Sequence, residues 1–138
     1  MKTTILTLAI VAVLAAQIGF AKSPYRTFEQ RVQLGVKNYE MALKSDNTGL
    51  LESGIILIAK MKIRIPNLEI ENLQEQLAEL TLHHPSATVR YKAHIASAIC
   101  ENPQWFAQSG TTPAGDDEQF FILAEHRLQE KLFGLTVY

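Results

Sequence analysis

An all-α fold is predicted by three observations. Apolar residues recur every three or four positions through five segments. Polar, proline- or glycine-bearing stretches stand at the ends of those segments. No segment of the mature chain shows the strict alternation that a half-buried strand requires. The chain has 138 residues. Its first 21 residues read as an export signal, which leaves one domain over 22–138. Met1-Lys2 gives a positive start, Ile5 to Ala16 is almost unbroken in its apolar character, and Gly19 and Ala21 have the spacing a signal peptidase reads. A membrane span needs roughly 20 such residues, so the run is short for one, and an uncleaved anchor is the alternative. No cysteine follows the cleavage point, which excludes lipid attachment there. The expected location is secreted or periplasmic, with no membrane association after cleavage.

The first helix is expected over about 25–44, where Phe28, Val32, Val36, Tyr39 and Leu43 form one stripe. Ser45 to Thr48 stops it and offers a cap for the next. The second is expected over about 49–64. Its centre, Ile55 to Ala59, is apolar on every side, which predicts a helix covered all round. Lys60, Lys62 and Arg64 suit the negative end of its dipole, and Pro66 prevents continuation.

The third runs from near Asn67 to near His83 on the stripe Ile70, Leu73, Leu77 and Leu80, with Glu69 and Glu71 in its first turn. The fourth starts at a Ser86 cap, ends at Glu101 and is rich in alanine, which lets a neighbouring backbone come close. Residues 102–115 form the one long irregular stretch. The fifth helix, 116–134, opens on Asp116, Asp117 and Glu118. It carries Phe121, Ala124, Leu128 and Leu132 on one face and ends at Gly134.

Charge and cysteine content narrow the function classes. With Lys2 removed from the 13 basic residues, the mature chain is close to balanced against 14 acidic ones. That gives no argument for nucleic acid or an anionic surface. Cys100 is the only cysteine, so no intramolecular disulfide forms; in an Ala/Ile-rich helix it is expected to pack as a small hydrophobe.

A weak internal repeat is visible at an offset of 39 residues, setting Leu50, Gly54 and Ala59 over Val89, Ala93 and Ala98. Within the second unit, Val89-Arg90-Tyr91-Lys92-Ala93 and Ala98-Ile99 resemble the second half of a HEAT repeat. Residues 38–105 are also similar to small exported bacterial proteins of unknown role with a HEAT-like hairpin core. The resemblance covers about half the chain and implies stacked helical hairpins, with the outer helices as caps. Leu51 stands where the repeat expects an arginine in the earlier unit. The resemblance also implies that Arg90 bonds turn groups of the neighbouring unit, with Asp46 or Asn47 as partner.

Candidate chemistry is sparse. Glu79 and His83 have i/i+4 spacing and His84 follows, which suggests a metal site or a small periplasmic enzyme. Against it, His83 and His84 point apart and no HExxH or CxxC occurs; a solvated helix end is the structural reading. Glu125 and His126 diverge by about 100° and cannot share a proton. His126 with Glu130 reads as a surface pair. Ser53 and Ser97 are expected to bond the preceding turn of their helices. Trp105 and Phe106 are a candidate partner contact, against the alternative that they close the end of the core. The expected function is therefore a non-enzymatic protein-interaction scaffold without cofactor, catalytic residues or metal. A metal-binding protein or enzyme at His83/His84 and a periplasmic holdase chaperone are the alternatives.

Overall fold

The computed structural model describes residues 27–107 and 116–134. The expected export signal, the second half of the irregular stretch and the tail after Gly134 lie outside them. Five α-helices occur in the order α1 (Phe28–Leu43), α2 (Thr48–Arg64), α3 (Glu71–His83), α4 (Ala87–Glu101) and α5 (Asp117–Phe133), with a 3-10 turn at Pro103–Trp105. No strand occurs among the described residues. The all-α expectation holds.

The chain divides into two compact units after Leu34, within α1. In the first unit, Thr27 and Gln30 start the helix reciprocally. The Gln30 N–H donates to Thr27 Oγ1 at 3.2 Å, and the Thr27 N–H donates to Gln30 Oε1 at 3.0 Å. This capping box satisfies two backbone donors that no helical carbonyl can reach. The packing described below is that of the second unit, from Gly35 onward.

Local capping sets the other helix starts. Asn47 Oδ1 accepts the Leu50 N–H at 3.0 Å, Ser86 Oγ accepts that of Val89 at 3.4 Å, and Asp116 Oδ1 accepts that of Glu118 at 3.0 Å. Gly134 closes α5 at φ 63°, a left-handed cap that suits a residue without Cβ, and its N–H donates to Glu130 O. The third helix begins four residues later than expected. Lys62 reaches out of the last turn of α2 and donates to the Leu68 carbonyl at 2.6 Å, while the Leu68 N–H closes a turn on Ile65. Residue 68 is thereby held in the connection, and Glu69 precedes α3 rather than sitting in its first turn.

α4 lies at the centre, packing closely against both α3 and α2 and more lightly against α5. α3 and α4 form the tight hairpin through the 84–86 turn. α2 and α4, the helices related by the 39-residue offset, lie side by side. The shared core takes Ile55, Ile58 and Ala59 from α2, Leu73 and Leu77 from α3, Val89, Ala93, Ala96 and Ile99 from α4, and Phe120 and Phe121 from α5. Cys100 is buried among them, as expected of a small apolar side chain.

Two packing expectations need correction. α2 is not covered all round: Leu57 is 43% exposed although Ile56 and Ile58 on either side are buried. On α5, Leu132 is 57% exposed and Phe120 takes its place in the core beside Phe121. The rings meet edge to face, with centroids 5.4 Å apart. Leu132 lies in the last turn of α5, where Phe133 is also exposed, at 69%.

Candidate functional site

A shallow groove of about 330 Å³ lies where the C-terminal end of α1 meets α3. Leu43, Leu80 and Pro85 supply its apolar wall, and Lys44, Gln76, Glu79, His83 and His84 its polar rim. It holds all three residues of the metal-site alternative. Their geometry is loose: His83 Nε2 and Glu79 Oε2 are 3.9 Å apart, and both side chains are more than 70% exposed. His84 faces a different task. Its Nδ1 accepts the Ser86 N–H at 3.1 Å, and the bond helps to shape the turn into α4. No group of three or more metal-ligating side chains converges among the described residues.

Arg90 works within that same turn. Its Nη1 donates to the carbonyls of His84 at 2.7 Å and Pro85 at 3.0 Å. These carbonyls end α3 and have no helical N–H to bind, and a guanidinium satisfies both at once. Arg90 thus bonds the turn of its own hairpin, where a bond to the turn of the neighbouring unit was expected. Asp46 is exposed, and Asn47 is occupied in capping α2, so neither meets Arg90.

Trp105 and Phe106 separate. Phe106 is 1% exposed and belongs to the core, while Trp105 is partly buried against it. The Trp105 carbonyl accepts from Arg127 Nε at 3.0 Å, which ties the 3-10 turn to α5. Contact with a partner at this corner is therefore open to Trp105 and closed to Phe106. His126 does not pair with Glu130. The Glu130 carboxylate is taken by Arg127 at 2.5 Å, and Glu125 accepts from Tyr91 at 2.6 Å. Ser53 Oγ bonds back to Gly49 O at 2.8 Å as expected, whereas Ser97 Oγ is buried with no hydrogen-bond partner.

The densest polar constellation was not foreseen. Lys92, 10% exposed, donates to Glu52 of α2 at 2.7 Å and lies 3.7 Å from Glu118 of α5. Its ammonium also stands 5.6 Å from the centre of the Phe121 ring. Lys60 repeats the arrangement, 3.2 Å from Asp117 and 5.4 Å from the Phe120 ring. Each cation is held by a carboxylate and the negative face of a ring. Burial pushes the Tyr91 phenol up to about 12, and the bond to Glu125 and the negative charge of that carboxylate add to it. The sequence did carry a signal: two acidic residues three positions ahead of two phenylalanines, and lysines on otherwise apolar helices.

No protein-family model, no curated protein and no solved structure matches the chain. No described helix is long and apolar enough to cross a membrane.

Proposed function

We propose that this chain is an exported, non-enzymatic scaffold, a HEAT-like stack of helices that binds another protein. One observation carries the reading. Leu50 and Leu57 stand seven residues apart on the same side of α2 and are 53% and 43% exposed. Two large apolar side chains on one outer helix face suit contact with an apolar segment of a partner. Trp105 supplies a further aromatic contact at the far end of α4. Export rests on the sequence of the first 21 residues.

The test compares the full chain with a Leu57→Glu variant in crosslinking and capture from the exported fraction. A partner captured by the native chain and lost with the variant, at unchanged helicity, supports the reading. Equal capture by both, or none by either, opposes it. The metal or enzyme alternative rests on the Glu79–His83 pair in the groove. Metal bound at one equivalent, and lost in His83→Ala, would establish it in place of the scaffold.

A further inference from the structure

The face that α2 and α4 present to α5 is fitted to one kind of helix. Lys60 engages Asp117 and the Phe120 ring; Lys92 engages Glu118 and the Phe121 ring. In both cases the acid stands three positions before the ring, so one ammonium reaches both across a single helical turn. Tyr91 adds a reader one turn further on, donating to Glu125 at 2.6 Å. Between these polar contacts the two rings are sealed, at 0% and 2% exposure.

We propose that this face is a docking site for a partner protein's amphipathic helix, and that α5 is its resident competitor. The helix that fits carries two acidic residues in its first turn, an aromatic pair three positions later and a carboxylate one turn beyond. The occupant in the structure shows this chemistry directly. The inference deepens the scaffold reading by naming the partner's recognition pattern.

Several features suit α5 to exchange. Its gripping acids are open to solvent, Asp117 at 63% and Glu118 at 70%, so water and salt reach the latch. Its last turn is exposed, and it touches α4 more lightly than α2 or α3 does. A helix with the same pattern in trans would remake the same contacts. What favours α5 is that it belongs to the same chain, which raises its effective concentration above that of a helix offered in trans. Binding in trans should therefore be weak to the native chain and strong once the in-cis contacts are damaged.

The probe is a fluorescent peptide of residues 116–134, titrated onto the full chain by anisotropy. The receptor variant D117K/E118K loses the lysine contacts of its own α5 but keeps the face intact. Saturable binding at least ten-fold tighter to this variant than to the native chain is expected. A peptide that itself carries D117K/E118K should lose that binding, as should a receptor that also carries K60E/K92E. A folded receptor variant that ignores the native peptide overturns the proposal. Hydrogen exchange on the unmodified chain guards against a variant that fails to fold. Amides of α5 should exchange at least ten-fold faster than those of α4, and equal rates would show that α5 does not separate. Dimerisation of the native chain by exchange of α5, seen by light scattering, would assign the face to a second copy and also overturn the proposal. Leu57 takes no part in the ion pairs or ring contacts to α5, so failure of the capture experiment and failure of this one are separate results.

Discussion

One substitution should have opposite effects at two places in the chain. Gly54 sits in mid-α2 where the end of α1 crosses it. A Cβ built there would lie 2.9 Å from Ala42 Cβ, 3.5 Å from Leu43 Cδ2 and 3.7 Å from the Ala42 carbonyl carbon. Carbon atoms prefer roughly 3.5–4.0 Å, so the closest contact is severely short. Neither Cβ can rotate away, because each is fixed to its backbone; the helices themselves must part. Overpacking of this kind costs about 1–3 kcal/mol. Against that, Ala exceeds Gly by about 1 kcal/mol in helix propensity. Gly54→Ala should therefore destabilise the fold by about 1 kcal/mol net.

Gly35 in α1 gives the control. A Cβ there meets only Tyr39 Cε2, at 4.0 Å, an ordinary contact. Gly35→Ala should retain most of the propensity gain and stabilise by up to ~1 kcal/mol. For a domain of this size about 1 kcal/mol moves Tm by roughly 4–8 °C, so thermal unfolding followed by circular dichroism separates the two. The double variant Ala42→Gly/Gly54→Ala removes the clash. It should show a coupling of at least ~0.5 kcal/mol relative to the single variants. If Gly54→Ala melts as high as Gly35→Ala, the close crossing of α1 on α2 is wrong.

Other substitutions test neighbouring parts of the fold. Ile58→Ala should cost about 2–5 kcal/mol in denaturant unfolding, because Ile58 is wholly buried. Leu57→Ala should cost less than about 1 kcal/mol, because that side chain is 43% exposed. His84→Ala should cost about 1 kcal/mol, the worth of one backbone hydrogen bond, and His84→Asn should recover part of it by restoring an acceptor. Burial pushes the Cys100 thiol up from 9.0 to about 12, so the folded state holds that proton more tightly than the unfolded chain. Its contribution to stability is then fully present below pH 9 and is lost as pH rises towards 12. At pH 8 the native thiol should resist a disulfide reagent that modifies it at once in denaturant; immediate labelling of native protein would contradict its burial.

What could be read from the sequence was local chemistry. The caps at Asn47, Ser86 and Asp116 and the glycine stop at 134 depend on residues within one turn: Ser86 and Gly134 stand where the pattern placed them, Asn47 falls in the stretch expected to cap α2, and Asp116 caps the helix it was expected to open. The Thr27–Gln30 box was equally local, and its T-x-x-Q spacing was there to find. What escaped depended on tertiary neighbours. An apolar run such as Ile55 to Ala59 does not show which side meets a partner helix, so the exposure of Leu57 was hidden. The later start of α3 follows from a lysine six residues upstream of the carbonyl it binds. In the groove, Glu79 and His83 were legible as an i/i+4 pair, but Leu43 and Lys44 enter it only because α1 ends beside α3.

The four residues Arg90-Tyr91-Lys92-Ala93 show why the centre of the fold concentrates on α4. Successive residues on a helix point about 100° apart, so four in a row address the whole circumference. Arg90 turns back to the carbonyls ending α3, Tyr91 reaches α5, and Lys92 joins Glu52 of α2 to Glu118 of α5. Ala93, wholly buried, is small enough to let the backbones of the flanking helices approach. An edge helix would leave part of such a turn facing water and would need polar groups there without partners. Here three successive polar side chains each find a protein partner, and the fourth is apolar and sealed. That pattern requires a helix with neighbours on most sides, and it accounts for α4 packing on α2, α3 and α5 together.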